Sequence, residues 1–139
     1  MEAERFAVEA VSGEEPGSVV LTLRGELDHD TADTLRAALE EGNGTAEATG
    51  PPVTGADPPD RPVRAGRIVV DCSALTFCDS SGLNVLLRAR LRALESGGSV
   101  ELAGLRPPVA RMFEITGAMS VFRVYEDVAE ARADRRVGG

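Results

Sequence analysis

The amino-acid sequence predicts an α/β fold built on a mixed sheet of four to five strands with about four helices. Beyond residue 18, short extended apolar segments alternate with segments of helical spacing, which is typical of a mostly parallel sheet. The first two extended segments instead follow each other directly, which predicts an antiparallel pair. A chain of 139 residues has the size of one domain with its own core, so we expect residues 1–139 to form a single domain.

The first part of the chain predicts two strands and a helix. The strands are expected over 6–10 and 19–23, and Gly25 is expected to end the second. A helix follows over 30–41, because apolar residues return at helical spacing there, and Asp30 is placed to cap it. The inner stripe of this helix consists of Ala32, Leu35 and Leu39.

Residues 42–66 interrupt the alternation of strands and helices. They contain five of the eight prolines and five glycines, and their larger aliphatic side chains are Val53 and Val63. Such a composition buries too little apolar surface to order a segment, and closing a longer loop costs little additional free energy. We therefore expect a disordered Pro- and Gly-rich insert at 42–66. Tolerated sequence drift is its simplest explanation, and a functional role is the alternative.

The second part of the chain predicts three strands and three helices. In chain order, these elements are expected over 67–71, 81–95, 99–103, 109–116, 121–125 and 127–135. The helix over 81–95 is expected to bury one stripe of leucines, which consists of Leu83, Leu86, Leu87, Leu91 and Leu94. Gly97 is expected to help end that helix, and Pro108 suits the first turn of the next one.

The composition excludes several classes of function. The formal net charge of −8 and the absence of Lys argue against direct DNA binding, since phosphate backbones are bound by clustered cations. Two cysteines six residues apart and one histidine, His29, do not supply a zinc site or a catalytic triad, and we expect Cys72 and Cys78 to be core side chains. The N-terminus lacks the apolar run of a signal peptide, and no segment has the length of a membrane span. The sequence therefore predicts a cytoplasmic protein without membrane contact.

The most informative segment is Cys78-Asp79-Ser80-Ser81-Gly82-Leu83, where an extended apolar segment becomes a helix. A Ser at this point lies beside the unpaired N–H groups of the first helical turn, where the helix dipole favours negative charge. The segment therefore fits a phosphorylation site that faces a partner before it is modified. The simpler alternative is that the Asp and Ser residues only cap the helix, as they do in many other proteins.

A second strand-to-helix junction lies upstream, in Leu23-Arg24-Gly25-Glu26-Leu27-Asp28. Neighbouring strand ends of a mostly parallel sheet can form one rim, so we expect Asp28 and Asp79 to lie on it together. Two carboxylates on one rim also raise the question of a Mg²⁺ site. A receiver-type phospho-Asp site is excluded, because it requires an acidic pair after the first strand and a later Lys, and this chain has no Lys.

Taken together, the two junctions resemble the STAS domain of bacterial anti-sigma factor antagonists. The resemblance extends from about Val19 to Ala131, with the insert as an interruption. The residues that carry it are, in chain order, Gly25-Glu26-Leu27-Asp28, Thr31-Ala32, Leu35, Ile68-Val69-Val70-Asp71, Leu75, Phe77, Asp79-Ser80-Ser81-Gly82-Leu83, Leu102-Ala103-Gly104-Leu105, Pro108-Val109, Phe113 and Gly117. The chain departs from the family pattern at Cys78, where another hydrophobe is usual, and at Asn84, where a small residue is usual. We expect both departures to tune the choice of partner.

The resemblance implies a STAS fold and the function of an anti-sigma factor antagonist. In this family the Ser directly after the Asp is phosphorylated, which implies Ser80 as the phosphorylation site. The unphosphorylated form is expected to bind an anti-sigma factor that is also a serine kinase using ATP, and so to free the sigma factor. Phosphorylation switches this binding off, and a serine phosphatase reverses the modification. The residues expected to contact the partner are Asp28, Asp79, Ser81, Gly82, Leu83 and Asn84, and Ser81 is also expected to help cap the helix.

Three further expectations concern what the chain binds and does. The main alternative function is that of a STAS-fold module that binds a nucleotide or another small ligand. Enzymatic activity is not expected, because Ser80 has no general base in its segment and no Gly-x-Ser-x-Gly frame. The chain is expected to need no cofactor, since the resemblance assigns ATP to the kinase, and the sequence leaves both a monomer and a weak dimer open.

Overall fold

The computed structural model describes residues 6–12, 18–48 and 66–134, and the side chains at 6–11, 18–40 and 66–134. The strands are β1 (Phe6–Ser12), β2 (Ser18–Leu27), β3 (Arg67–Cys78), β4 (Ser99–Ala103) and β5 (Val124–Tyr125). The helices are α1 (Ala32–Ala48), α2 (Ser80–Glu95), α3 (Pro107–Thr116) and α4 (Val128–Ala133), and a 3₁₀ turn over Ala118–Ser120 precedes β5. The fold class predicted from the sequence is confirmed.

The five strands form one mixed sheet in the order β1-β2-β3-β4-β5. β1 pairs antiparallel with β2, as predicted, and every other neighbouring pair is parallel. Because β2, β3 and β4 are parallel neighbours, their carboxyl ends lie at the same edge of the sheet, where α1, α2 and α3 begin. This edge carries both of the junctions that the sequence analysis singled out.

The core lies between one face of the sheet and the first three helices. Alternate residues of the strands point towards it, and α1, α2 and α3 close it with Leu35, Leu39, Leu86, Val109 and Phe113. The strand residues of this core are Phe6, Leu21, Leu23, Leu27, Ile68, Val70, Cys72, Leu75, Cys78, Val100 and Leu102. A smaller cluster on the other face is formed by Val20, Val69, Ala103, Tyr125 and Ala131 of α4. The prediction that both cysteines are core side chains is confirmed.

β2 and β3 are both longer than the sequence predicts. The expected end of β2 at Gly25 is wrong, because Gly25 lies inside the strand with a φ of +97°, next to a shift in register between β2 and β3. A side chain is strained at this backbone angle, so glycine lets the strand bend and continue. β3, expected to end at Asp71, continues to Cys78 because it stays paired with β2.

The other boundaries differ by smaller amounts. β1 ends at Ser12 rather than residue 10, α1 begins at Ala32 rather than residue 30, and α2 begins one residue early, at Ser80. α3 begins at Pro107, β5 begins at Val124 after the 3₁₀ turn, and α4 ends at Ala133. α1 continues to Ala48, so residues 42–48 of the predicted insert at 42–66 are helical in backbone. The remainder of that insert up to residue 65 lies outside the described residues, as do residues 135–139.

The leucine stripe predicted for α2 is wrong in part. Leu83 and Leu86 are buried, whereas the side chains of Leu91 and Leu94 are 57% and 49% exposed and Leu87 is half-buried. The rest of the buried face is formed by small residues, namely Gly82, Ala89 and Ala93. Small side chains allow a helix to approach a sheet closely, so the inner face of α2 is set by fit rather than by the largest hydrophobes. Within the described residues, no helix is long and apolar enough to cross a membrane.

A buried ion pair joins the first residue of β3 to the centre of β4. Arg67 Nε donates to Glu101 Oε1 over 2.8 Å, and Arg67 Nη2 donates to the carbonyl oxygen of Ala131 over 2.8 Å. Glu101 is 5% exposed, and the guanidinium also lies 5.9 Å from the ring centre of Tyr125. The pair therefore ties α4 to the sheet at the edge opposite the two junctions.

Replacing Arg67 is expected to destabilise the fold strongly. Arg67→Met leaves the Glu101 carboxylate buried without its cation and removes the hydrogen bond to α4, which we expect to lower the free energy of unfolding by about 3 kcal/mol or more. Urea unfolding followed by circular dichroism measures the change. The matched control is Arg24→Met, which breaks an exposed 3.7 Å pair with Glu9 and is expected to change stability by less than about 1 kcal/mol. Equal effects of the two substitutions would contradict the structural role of the buried pair.

Candidate functional site

The carboxyl ends of β2 and β3 lie side by side. Leu27 and Cys78, the last residues of the two strands, are register partners, and the N–H of Asp79 donates to the carbonyl oxygen of Leu27 over 3.1 Å. Asp28 and Asp79 are the residues that follow these partners. The prediction that the two junctions share one rim of the sheet is therefore confirmed, and we call residues 26–28 and 77–81 the rim.

Asp79 is the N-cap of α2. Its backbone is extended, with φ −103° and ψ −171°, and its Oδ1 accepts hydrogen bonds from the N–H groups of Ser81 at 2.9 Å and Gly82 at 3.2 Å. The carboxylate thus satisfies two of the N–H groups that a helix leaves unpaired at its start. The expectation that the Ser81 side chain helps to cap the helix is wrong. The Asp79 carboxylate is the cap, and Ser81 contributes the backbone N–H that donates to it.

Ser80 is the first residue of α2 and is exposed. The structure records no hydrogen bond for its hydroxyl within the described residues, so the Oγ points to no fixed partner there. Ser81, the second hydroxyl of the motif, is half-buried. Of the two serines, Ser80 therefore has the greater access to another macromolecule.

Asp28 shapes the turn that leads from β2 into α1. Its Oδ1 accepts from the N–H of Asp30 at 2.9 Å and from the N–H of Thr31 at 3.2 Å, and the N–H of Asp28 donates to Oγ1 of Thr31 over 2.9 Å. The carbonyl oxygen of Asp28 accepts from Ala32, the first residue of α1, over 2.8 Å. The predicted start of the helix at Asp30 is wrong, because α1 begins at Ala32 and the N–H groups of Asp30 and Thr31 belong to the turn that the Asp28 carboxylate holds.

Gly82 and Leu83 lie beneath the exposed surface of the rim and pack in the interior. Both are buried, so they do not present side chains to a partner. A Cβ at Gly82 would lie 2.5 Å from Cγ of Leu27 and 3.2 Å from Sγ of Cys78. The absence of a side chain thus allows the first turn of α2 to lie directly against the ends of β2 and β3. Their predicted contribution to partner binding is therefore indirect, because the packing of these two residues positions the exposed residues of the rim.

Two exposed side chains lie close to Ser80 in the sequence, Phe77 before it and Asn84 after it. Asn84 lies one turn further along α2 and is exposed, as a partner-contacting residue requires. Phe77, which the sequence analysis did not assign to the site, is the register partner of Glu26 and is 46% exposed. Aromatic side chains are enriched in protein interfaces, so the half-exposed ring of Phe77 adds a candidate contact to the rim. The sequence signal for the exposure of Phe77 is its position next to Cys78, because successive side chains of a strand point to opposite faces and Cys78 points into the core.

The described residues offer a small groove and no cluster of metal-ligating side chains. Among the described residues, no group of three or more His, Cys, Asp or Glu side chains is close enough to hold a metal ion, so the question of a Mg²⁺ site at Asp28 and Asp79 finds no support. A groove between α1 and α2, lined by Arg36, Leu39, Glu40, Val85, Arg88, Ala89 and Arg92, encloses about 60 Å³. Ligand sites usually enclose about 300 Å³ or more. The groove is therefore too small for a nucleotide.

Burial keeps the two thiols near the rim protonated. Burial raises the pKa of Cys78 to about 12, and the neighbouring Asp79 carboxylate adds to this effect. Burial also raises the pKa of Cys72, with smaller contributions from Cys78 and Asp71. Neither thiol is therefore a nucleophile at neutral pH.

The chain resembles known proteins over nearly its whole length. The family model described as the STAS domain matches residues 9–131. The anti-sigma F factor antagonist of Paenibacillus polymyxa is 26% identical over 121 residues, which cover 87% of this chain and 89% of that protein.

Solved structures resemble the fold in the same way. The structure of the anti-sigma factor antagonist SpoIIAA in its unphosphorylated form has a TM-score of 0.64 and 27% identity, with 96% of this chain and 97% of that chain covered. The Bacillus cell fate determinant SpoIIAA in its phosphorylated form has a TM-score of 0.62 and 24% identity, with 94% and 100% covered. The fold described above is thus shared with both forms of that protein.

A first test of the site concerns the close contact at Gly82. Replacing a glycine inside a helix by alanine usually stabilises the helix by about 1 kcal/mol. Here we expect Gly82→Ala to lower the free energy of unfolding by about 1 to 3 kcal/mol instead, because the new methyl group meets the buried side chain of Leu27. Thermal and urea unfolding measure the sign. Asn84→Ala, exposed in the same helix, is the control and is expected to be neutral or slightly stabilising.

A second test concerns the alkaline limit of stability. A thiol in an unfolded chain has a pKa near 8.5, whereas burial raises the pKa of Cys78 in the folded chain to about 12. Between these values the unfolded chain holds fewer protons, so stability falls as the pH rises. We expect the parent chain to lose about 1 kcal/mol more per pH unit above about pH 9 than Cys78→Ala does. Urea unfolding of both chains from about pH 7 to about pH 11 measures the two slopes, and parallel slopes would contradict the shifted pKa.

Proposed function

The chain belongs to the STAS domain family, and we propose that as a single domain it acts as an anti-sigma factor antagonist whose binding is switched off by phosphorylation at Ser80. The unphosphorylated form binds an anti-sigma factor that is also a serine kinase, and the sigma factor is thereby released. ATP is supplied by the kinase, and a serine phosphatase restores the active form. The protein acts on transcription in the cytoplasm without contacting DNA, in keeping with its net charge of −8.

The observation that carries the proposal is the position of Ser80. Its hydroxyl is exposed at the first residue of α2, on a rim that also presents Asp28, Asp79 and the half-exposed ring of Phe77. A kinase can reach this oxygen without unfolding any element of the domain. A partner that docks on the rim covers the same oxygen, so modification and binding exclude each other.

The charges around Ser80 give the phosphate its effect on binding. A phosphoserine adds roughly −1.5 to −2 charges at pH 7. The N–H groups of Ser81 and Gly82, which a phosphate at a helix start would otherwise use, already donate to Asp79. The phosphate is therefore an additional anion beside a carboxylate. A partner that covers it has to remove it from water next to a like charge, which opposes docking while it leaves the fold unchanged.

Relatives support a switch that acts without a change of fold. SpoIIAA has been solved in unphosphorylated and phosphorylated forms, and this chain superposes on the two with TM-scores of 0.64 and 0.62. The modification in that protein is thus compatible with one architecture. The same reasoning applies to this chain, because the cap of α2 is supplied by the carboxylate of Asp79 and not by the hydroxyl of Ser80.

Phosphorylation is tested with the purified chain and each purified anti-sigma factor kinase that its own genome encodes. With ATP and Mg²⁺, we expect one kinase to add a single phosphoryl group, which intact-mass spectrometry detects and peptide mass spectrometry places at Ser80. Ser80→Ala is expected to remain unmodified and to stay bound to that kinase under ATP. Ser81→Ala is the matched control, since its half-buried hydroxyl is next in sequence, and it is expected to be phosphorylated like the parent.

Ser80→Asp is expected to bind the same kinase about 100-fold or more weakly than the parent, since a penalty of roughly 3 kcal/mol at the interface corresponds to that factor. Isothermal titration calorimetry in the absence of ATP measures the difference. If Ser80→Ala, Ser80→Asp and the parent all bind the kinase equally, the proposal that phosphorylation of Ser80 controls binding is wrong. Titration of the parent with ATP and GTP tests the alternative of a nucleotide-binding module, which tight binding without any protein partner would favour.

A further inference from the structure

The outer face of α2 carries two large apolar side chains, Leu91 and Leu94, that do not pack in the core. The helix packs on α1 and on the sheet with its inner face. On the opposite side, Leu91 is 57% exposed and Leu94 is 49% exposed. Leu87 lies one turn before Leu91 and is half-buried, because part of its side chain packs against the core. Single exposed leucines are ordinary on protein surfaces, whereas exposed leucines that neighbour each other on one helix face form an apolar patch that a partner can cover.

The spacing of this row is that of a helix-packing seam. Its five members follow each other at intervals of four, three, four and three residues, and they are Ser80, Asn84, Leu87, Leu91 and Leu94. At 3.6 residues per turn they fall within a sector of about 80°. A repeat of 3.5 residues keeps such a row facing one neighbouring helix along its length. We call these five residues the outer seam.

The seam is flanked by positive charge. Arg88 and Arg90 take the positions on either side of Leu87 and Leu91 that correspond to e and g of a heptad, where charges select the partner helix. Within the described residues neither guanidinium forms an ion pair. Glu95 flanks the C-terminal end of the row. The centre of the seam is thus basic on a chain whose net charge is −8, and acidic side chains complement it.

We infer that the outer seam is a docking surface for one helix of the anti-sigma factor, with apolar residues facing the leucines and acidic residues facing Arg88 and Arg90. The identity of this partner rests on the proposed function. Ser80 lies at one end of the seam, so the helix that covers the leucines extends towards the hydroxyl that is modified. A second copy of this chain is a poorer occupant, because it brings the same arginines and a further charge of −8.

The chemistry of the occupant is tested first with synthetic helical peptides, which need no knowledge of the natural partner. One peptide of about three heptads carries Leu at a and d and Glu at e and g, and its matched control carries Lys in place of Glu. Fluorescence anisotropy with the full-length chain is expected to give at least about tenfold tighter binding of the Glu peptide, with the difference shrinking as salt is added. Equal binding of the two peptides, or binding of neither, overturns the inference.

Variants of the chain locate the site. Leu91→Ser is expected to weaken the Glu peptide by about tenfold, the effect of withdrawing one leucine from an apolar contact. Ile115→Ser is the matched control, because Ile115 is 75% exposed on α3 and lies outside the seam, and it is expected to bind like the parent. The double substitution Arg88→Glu and Arg90→Glu is expected to reverse the preference, so that the Lys peptide binds more tightly. All these side chains are partly or fully exposed, and thermal unfolding verifies that each variant folds.

Three measurements separate this inference from the proposed function and from self-association. If a cognate kinase phosphorylates Ser80 but binds Leu91→Ser and the parent equally, the seam is refuted while the switch stands. If no kinase modifies Ser80 but the peptides discriminate as expected, the switch fails while the chemistry of the seam stands. Sedimentation equilibrium gives the third outcome, since a dimer of the parent that Leu91→Ser dissociates would identify a second copy as the occupant and overturn the assignment to the anti-sigma factor.

Discussion

The parallel pairing of β2 with β3 is the interaction on which the site depends. This ladder brings Leu27 and Cys78 into register, and the N–H of Asp79 extends it by one more hydrogen bond to the carbonyl oxygen of Leu27. The first turn of α2 then rests on the same Leu27 side chain, at a distance that only a glycine at position 82 permits. The position of Ser80 is therefore fixed by backbone pairing and close packing rather than by contacts of its own hydroxyl. A chemical change at that hydroxyl leaves these supports in place.

The capping of α2 by Asp79 stabilises the helix and also keeps the charge of a phosphate on the adjacent Ser80 available to act on a partner. An uncapped helix start would draw a phosphate into the backbone N–H groups, and the modification would then be partly neutralised by the fold. Here the carboxylate already holds the N–H groups of Ser81 and Gly82. Its charge is stabilised by the helix dipole, while a second charge on Ser80 remains directed at whatever approaches the rim. The more completely Asp79 occupies these N–H groups, the more phosphorylation changes the free energy of binding and the less it changes the free energy of unfolding.

The sequence was sufficient for the order of elements, the antiparallel start of the sheet and the two junctions, because these depend on local patterns of apolar residues, Gly and Asp. It was insufficient where tertiary contacts decide. Gly25 has the signature of a strand end, yet β2 continues through it because β3 remains paired alongside. The five leucines of α2 fit one inner stripe by spacing, but the close approach to the sheet selects Gly82, Ala89 and Ala93 for the inside and leaves Leu91 and Leu94 outside. At the rim, Asp28 rather than Asp30 shapes the turn, a choice between two nearby carboxylates that spacing alone does not make.

The two ends of the outer seam have different parts in binding and control. Phosphorylation of Ser80 adds charge at one end of the outer seam and leaves the leucines at the other end unchanged, so whatever affinity they contribute persists in the modified form. A switch of roughly 3 kcal/mol changes affinity by about two orders of magnitude. Such a factor releases the partner only where the seam alone binds weakly at the concentrations present. Three partly exposed leucines bind weakly enough for this. Burying so small an apolar surface gives little favourable free energy, and the loss of translational and rotational freedom on association offsets much of it. A longer or more deeply buried seam would hold the phosphorylated chain as well, and the hydroxyl of Ser80 would then control nothing.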